Sequence, residues 1–525
     1  MFNRLLLKML PLTVTTHFFN IKHQCVAVHR VQSTVYRLIL ISFIISSSIG
    51  QLNCQTKTLK LSLPEIVALA QSDAPNVLIA NTRLNNNYWR YQSFLEDYKP
   101  QIRLDAALPN LDRSITAITL PNGQDAFIRR SQMSSRLGLQ LQQQITATGG
   151  TIFASTGLER IDIFNPDAPI FNSFLSAPIS IGFNQPLFAF NQLKWDKKIE
   201  PLRYTERTKE FAEEMEGVAF QAANLFFDVL IAQLNLAAAE QEKMNADTLF
   251  SISKGRFEVG KIAETELLNI ELRSLNADAA VAQASLTVQT NTEALRNHLG
   301  IKEAVTFDLV TPTNIPSFLV DAEKALKFAR INRSNSVNFE RRLMEAESEV
   351  EQADRERFNI NFFGRFGLTQ TAENFGDAYR DLLDQEVVNL GIQMPLADWG
   401  KTKANKEIAA SNLELTKVSI EQERVDFERN ILIRVQQFDL VRNQVKLAQR
   451  AYEASIKRED ITRKRYLIAK IGITELNIAI TEKEQARQNF VQALQNFWLA
   501  YYELRTLTLY DFAEDKSLVR VPEGF

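Results

Sequence analysis

Glycine and proline are scarce in this sequence, at 18 and 15 among 525 residues. A chain with so few residues that bend or break the backbone has few turns and long uninterrupted helices. Histidine and cysteine are scarcer still, at four and two. His17, His23, His29 and Cys25 all fall within residues 1–50, which leaves only His298 and Cys54 for the remainder. One His and one Cys cannot build a Cys/His metal cluster, an internal disulfide or a Cys-His dyad. A Ser-His-Asp triad would have to use His298, which sits in "ALRNHLGI", an amphipathic helix end closed by Gly300. Glycine-rich phosphate loops and paired-acid motifs are missing too, so no enzyme, cofactor or metal site is expected. Nor is there an excess of positive charge: 60 Lys and Arg face 62 Asp and Glu. Residues 1–50 hold five cations (Arg4, Lys8, Lys22, Arg30, Arg37) and no acid, and removing them takes the formal charge from -2 to -7. A mildly acidic chain without a basic tract is not expected to bind nucleic acid.

Long hydrophobic runs are also lacking. The apolar stretch from Leu38 to Ile49, preceded by Arg37 and followed by small residues, is too short to cross a bilayer and reads as a secretory signal peptide cut after Gly50. The competing reading is lipidation of Cys54, against which Asn53 in "QLNC" stands where a small residue is wanted. Residues 1–36 precede the natural start of such a signal, so translation is expected to begin near Val31 or Val35.

What the sequence does contain, it writes twice. "GRFEVGKIAETELLNIE" (255–271) and "KRYLIAKIGITELNIAI" (464–480) align on Arg256 and Arg465, 209 residues apart. "QPLFAFNQLK" at Pro186 and "MPLADWGKTK" at Pro395 share that offset, whereas "LSLPEIVALAQSDAPNVLIANTRL" and "VDAEKALKFARINRSNSVNFERRL" match at 259, Asn76 against Asn335. A shared offset in unrelated stretches marks a tandem duplication. The change of offset places a 50-residue insertion in repeat one, before Pro186. Residues 51–310 are read as repeat one, 311–510 as repeat two and 511–525 as a tail.

Each repeat has alternating stretches and a very long helix. Phe358, Ile360, Phe362, Phe366 and Leu368 oppose Asn359, Asn361 and Arg365, and Val388, Leu390, Ile392, Met394 and Leu396 oppose Asn389 and Gln393. In repeat one Ile102, Leu104 and Leu108 alternate with Gln101, Arg103 and Asp105, and Ile179, Ile181, Phe183 and Leu187 form the matching strand. Such strands fit a half-buried antiparallel sheet or a membrane barrel wall with a wet lumen. The insertion, "SRLGLQLQQQITATGGTIFASTGL", alternates on both sides of Gly149-Gly150 and reads as a hairpin. Four strands, or six with the hairpin, are too few to close a water-filled barrel, so transmembrane strands would require several chains to share one.

From Lys194 to Phe257 the chain has Gly217, Gly255 and Pro201 as its only interruptions, and Phe211, Met215, Val218, Ala222, Leu225, Val229, Ala232 and Leu236 step as a heptad seam. Phe220, Phe227, Ile231 and Leu234 add a second stripe, so this helix is expected to pack on two sides. Repeat two carries Ile431, Val435, Phe438, Val445, Ala448 and Tyr452, with Phe490, Leu494, Phe497, Tyr501 and Leu504 on the return helix. The repeated "RFEVGK" stretches lie where the helices reverse, Gly260 serving as C-terminal cap and Thr265 and Thr474 as N-caps followed by Glu266 and Glu475.

These features together resemble the TolC-like outer-membrane efflux family over roughly Leu61 to Tyr510. The resemblance implies a mainly α protein with β structure: tandem long α-helical hairpins plus antiparallel strands that form a shared trimeric transmembrane β-barrel and a periplasmic α-helical tunnel. It implies an outer-membrane exit duct of a tripartite efflux or type I secretion system, a homotrimer that meets a periplasmic adaptor and an inner-membrane pump of RND or ABC type. A Val-Gly-Leu-type docking element of the family matches Val259, Gly260 and Lys261, with Lys in place of Leu, and more loosely Ile468, Ala469 and Lys470; Arg256 and Arg465 flank the two tips. The family's acidic periplasmic gate matches Glu475, whereas Ile478 stands where a second acid is expected. Phe188, Phe190 and Trp399 are the candidate membrane-interface anchors. The alternatives are a periplasmic adaptor and a coiled-coil scaffold without a membrane barrel.

Overall fold

The stretches poor in glycine and proline fold as the long helices the sequence predicts. The computed structural model describes residues 57–164, 169–356, 359–393, 396–468, 470–471 and 473–519. The signal segment, its cut after Gly50, Cys54, Phe358, Met394, Pro395 and Ala469 lie outside the described residues. Repeat one runs β1 (Lys57–Leu61), α1 (Leu63–Asp73), α2 (Pro75–Glu96), β2 (Gln101–Thr119), β3 (Asp125–Ile145), β4 (Gly150–Ile163), β5 (Phe171–Leu187), α3 (Gln192–Glu258) and α4 (Glu264–His298). Repeat two follows as β6 (Val305–Leu309), α5 (Ala322–Asn332), α6 (Ser334–Arg355), β7 (Asn359–Ala372), β8 (Leu383–Gln393), α7 (Lys401–Leu467) and α8 (Ile473–Thr508), with a short β9 (Tyr510–Asp511) and β10 (Lys516–Ser517) closing the chain.

The two offsets recur in the helices. α3 and α7 are both 67 residues long and lie 209 residues apart at each end. α1 and α5 have 11 residues each, α2 and α6 have 22 each, and both pairs lie 259 apart. The surplus of repeat one therefore falls between its second and third helices, in residues 97–191 against 356–400. It is spent on one more pair of strands.

Among the described residues the large sheet has six strands in the order β2-β3-β4-β5-β7-β8, every neighbour antiparallel. The predicted hairpin is β3–β4, and it lies inside this sheet, between β2 and β5. The register carries one apolar face across all six strands. Leu104 stands opposite Leu139, Leu141 opposite Ala154, Ala154 opposite Ile181, Ile181 opposite Phe366, and Phe362 opposite Leu390. The polar row beside it runs Arg103, Gln140, Ser155, Ser180 and Gly367. Exposure is inverted relative to a water-soluble sheet: Val388 is 77% exposed and Ile102 71%, whereas Ser180 is 4%. A continuous exposed apolar band with a polar, half-covered reverse side is a wall made for lipid. Gly182 lets the strands close up, since a Cβ there would lie 2.5 Å from the Phe153 ring and 2.6 Å from the Gly364 carbonyl oxygen.

β2 corrects the sequence reading in one respect. Alternation was legible only to Leu108, yet the strand continues to Thr119. A bulge between Ala107 and Asn110 shifts the phase by one, so Leu111 and Ile115 return to the face of Leu104 although their numbers are odd.

The helices form a layer in which α3 is the inner member. Near the sheet the order is α2-α3-α6-α7, and towards the far end it becomes α4-α3-α8-α7. Of the first predicted stripe of α3, Met215, Val218, Ala222, Val229 and Ala232 are buried; of the second, Phe227 is buried and Phe220, Ile231 and Leu234 are half-buried against the core, where Phe226 and Leu230 join them. This explains why α3, by length and composition, passes as a membrane-crossing helix; its apolar sides meet other helices. On α7 and α8 the same logic buries Ile431, Val435, Phe438, Val445, Leu494, Phe497 and Leu504.

Two buried carboxylates fix the register of these helices. Glu216 on α3 takes a forked pair of hydrogen bonds from Arg505 on α8, Nε at 2.9 Å and Nη2 at 3.1 Å, and Asp511 lies 3.4 Å from the same guanidinium. Glu206 accepts from Arg341 and, at 2.8 Å, from Asn338, both on α6. Burial works to raise the Glu206 carboxyl, but the Arg341 and Asn338 hydrogen bonds outweigh it and hold the group below its usual 4.5. A carboxyl lowered in this way contributes stability above its unfolded pKa and loses it as pH falls through the folded value. Glu206→Gln, which leaves Arg341 with Glu345 as its remaining acid partner, is expected to cost about 3 kcal/mol in unfolding experiments in detergent. The wild type should lose stability below about pH 4.5 more steeply than the variant; parallel pH curves would contradict this role.

Candidate functional site

Each long helix reverses at a tip, and the repeated motif is what turns it. After the C-cap Val259, Gly260 takes the left-handed conformation at φ +72°. Its N–H donates to the Phe257 carbonyl and the Lys261 N–H donates to the Arg256 carbonyl, both at 2.8 Å. This is the double closure of a Schellman end, which satisfies carbonyls left open by the last turn. In repeat two the Lys470 N–H donates to the Arg465 carbonyl at 3.0 Å. The Arg and Lys written in both motifs are therefore the two ends of one backbone hydrogen bond. Their side chains are exposed and flank Val259 and Ile468, which are 67% and 62% exposed. Each tip thus presents a bare β-branched residue between two cations.

The N-caps differ from expectation. α4 begins at Glu264, one residue before Thr265, and its cap position is Ala263, without a side-chain hydrogen bond. α8 begins at Ile473, which places Thr474 inside the helix. The returning helices start instead with acids in the first turn, Glu264 and Glu266 in one and Glu475 in the other, which complement the positive end of the helix dipole. Charged pairs clamp the hairpins just behind the tips. Glu242 on α3 holds Arg273 on α4 at 2.7 Å, and across the second hairpin the buried Glu459 on α7, paired within its own helix to Arg463 at 2.6 Å, faces Lys483 of α8 at 3.9 Å.

On α8, Leu476 and Ala479 are buried, whereas Glu475 and Ile478 are exposed one turn apart. The candidate gate pair therefore faces away from the packed side of its own hairpin. Among the described residues no group of three or more His, Cys, Asp or Glu is placed to hold a metal. His298 ends α4 half-buried, its Nε2 3.3 Å from the Val218 carbonyl, and burial lowers its pKa.

At the other end of the long helices, strand passes to helix through aromatic residues in the left-handed region, Phe188 at φ 61° and Trp399 at φ 53°. Trp399 is 95% exposed, as suits a ring seated at a membrane–water boundary. Asn191 was not singled out from the sequence. Its side-chain oxygen accepts the Lys194 N–H at 3.2 Å to cap α3, and its amide nitrogen donates to the Thr146 carbonyl at 2.9 Å in the β3–β4 turn. The apolar seams left bare on α4 and α7 were also overlooked: Leu268 and Leu275, and Ile433, Leu440, Leu447 and Ile461, recur at multiples of seven and are exposed. Their spacing was a signal available in the sequence.

The single chain thus has an inside-out sheet at one end of long helical hairpins and exposed tips at the other. Residues 170–301 match the family model described as outer membrane efflux protein. The fold agrees with this over most of the chain's length. A membrane protein from Pseudomonas aeruginosa superposes with TM-score 0.60 at 14% identity, covering 90% of this chain and 96% of that one. The CmeC outer membrane channel of Campylobacter jejuni gives 0.58 at 14%, covering 87% of each chain. The MtrE outer membrane channel of Neisseria gonorrhoeae, in its open state, gives 0.57 at 13%, covering 85% and 88%. No curated protein sequence matches the chain. Residues 170–301 thus match a family of efflux proteins, not of enzymes, and the fold of the chain is that of the outer-membrane channels it superposes on.

A Cβ at Gly260 would meet nothing within 4 Å, so Gly260→Ala isolates the backbone cost of the tip. The substitution is expected to weaken that turn by about 1 kcal/mol. Amide exchange should quicken at Lys261 and the last turn of α3, with global melting little changed; unaltered exchange would contradict the Schellman closure.

Proposed function

We propose that three copies of this chain close into one ring, an outer-membrane exit duct whose helical tunnel reaches into the periplasm. The observation that carries this reading is that sheet and helix layer are both open at matching edges. β2 and β8 end the sheet, and α4 and α7 end the far part of the helix layer. Each edge carries unspent bonding capacity, in the form of unpaired backbone groups on the strands and bare heptad seams on the helices. A second copy satisfies both at once, β8 and α7 of one chain meeting β2 and α4 of the next. The number three follows from the family resemblance.

The tips are then the docking surface for a periplasmic adaptor: Arg256, Val259, Gly260 and Lys261 in repeat one, and Arg465, Ile468, Ala469 and Lys470 in repeat two. An exposed aliphatic side chain between two cations suits a partner that offers an apolar notch rimmed by carboxylates. The adaptor links the duct to an inner-membrane pump of RND or ABC type, in tripartite efflux or type I secretion, and the pump selects the cargo. Residues 51–310 and 311–510 are the two repeats of this duct. Glu475 and Ile478 line the closed entrance, where carboxylates from three copies would bind a cation and the isoleucines would add an apolar constriction.

Native mass measurement of the detergent-extracted protein tests the ring, and three copies are expected. A soluble single chain would overturn the duct in favour of an adaptor or scaffold. In planar bilayers, Glu475→Ala should abolish block by divalent cations, and unchanged block would remove Glu475 from the gate.

A further inference from the structure

We infer that the β3–β4 hairpin contributes two wall strands per copy, so that the ring encloses an eighteen-stranded barrel matched in girth to the helical tunnel beneath it. This inference rests on the trimeric duct proposed above. Without the hairpin each copy would supply four strands and the barrel would have twelve.

Three independent features place the hairpin in the wall. It is hydrogen-bonded on both sides, β3 to β2 and β4 to β5. Its apolar face is in register with that of its neighbours: Leu137, Leu139 and Leu141 stand opposite Ala106, Leu104 and Ile102, while Gln140 and Gln142 share the polar side with Arg103 and Gln101. A flap lying outside the barrel, or a plug within it, has no need to match that face. Its turn is also built into the strand-to-helix junction, where Asn191 donates to the Thr146 carbonyl at 2.9 Å and Gln185 to the Thr148 carbonyl at 3.0 Å.

Topology permits the addition because a hairpin adds strands in pairs. β2 leaves α2 and β8 leads to α7, so the two edges run in opposite directions whether the hairpin is present or absent. Closure between copies then stays antiparallel throughout, as an even-stranded membrane barrel requires.

Girth supplies the functional consequence. Near the sheet each copy places four helices across the layer, α2, α3, α6 and α7, so three copies place twelve. Twelve helices at 8–10 Å spacing make a ring of about 100–120 Å circumference. Eighteen strands about 4.8 Å apart and tilted about 40° make about 110 Å, whereas twelve make about 75 Å. The eighteen-stranded barrel therefore continues the tunnel without a taper, and a barrel of that size leaves an aqueous channel. Size selection then falls on the helix tips alone, and bulky polar cargo that clears them meets no second constriction at the membrane.

Electron microscopy of the full chain in detergent, beside a variant lacking residues 125–164, tests this. Removing that segment joins β2 to β5 through residues 120–124 and 165–170. The expected result is a trimer of each, the full-length barrel being about one and a half times as wide as the variant's. Site labelling gives a second reading that does not depend on the deletion variant folding. In a Cys54→Ser background in liposomes, Gln140→Cys should react with a membrane-impermeant maleimide and Leu139→Cys should not. A full-length trimer with a twelve-strand-wide barrel, or equal labelling at both positions, would overturn the inference while leaving the duct intact. A particle that is not a trimer would overturn the duct and the inference with it.

Discussion

A sheet that turns leucine, isoleucine and phenylalanine outward can rest only in lipid, and lipid offers no hydrogen bonds. Every backbone N–H and C=O within the hydrocarbon must then be met by protein, at a penalty of several kcal/mol for each that is not. Among the described residues every strand of the six-stranded sheet has a neighbour on both sides except β2 and β8. That shortfall governs the rest of the structure, because the edges have to find one another. The helix layer repeats the requirement in a weaker form, since α4 and α7 leave heptad seams bare at its margins. The proposed ring of copies answers both demands, and that ring would make the passage.

The duplication explains why the two long helices differ although they have the same length. α3 lies inside the layer and is covered by α1, α2, α4, α6 and α8, whereas α7 stands at the margin. The alanines of α3, among them Ala212, Ala219, Ala222 and Ala223, are buried and admit neighbours closely. Glu206 and Glu216, buried within this helix, tie it to α6 and α8 through Arg341 and Arg505. Apolar seams alone tolerate a slide of one heptad; a buried carboxylate with one arginine partner does not. The charged pairs thus set the register in which the repeats pack, and that register determines where the strands and tips emerge.

Much of this was legible because it depends on period and punctuation. The bounds of α3 and α7 follow from the scarcity of glycine and proline between Gln192 and Glu258 and their absence from its echo 209 residues later. The faces of β5, β7 and β8 follow from alternation, and the hairpin from alternation on both sides of Gly149-Gly150. The far half of β2 was hidden because the bulge after Ala107 resets the phase, so a strictly alternating pattern seems to stop at Leu108. The helix starts were misplaced because a Thr before a Glu fits a cap and a first helical turn equally well; backbone geometry, not residue type, decides between them. The tip motif was legible as a turn, but its Arg–Lys repetition was not, since the bond joining those residues runs between backbone atoms that every residue has. The partnerships of Glu206 and Glu216 lie more than 130 residues apart along the chain and leave no local mark.

The central claim is that the sheet edges are closed by further copies of the chain, and hydrogen exchange at those edges tests it most directly. In the detergent-extracted assembly, the amides of β2 and β8 should exchange as slowly as those of β4 and β5 in the middle of the sheet. Exchange of the outward amides of β2 and β8 at the rate of an open strand, with β4 and β5 still protected, would contradict the shared barrel.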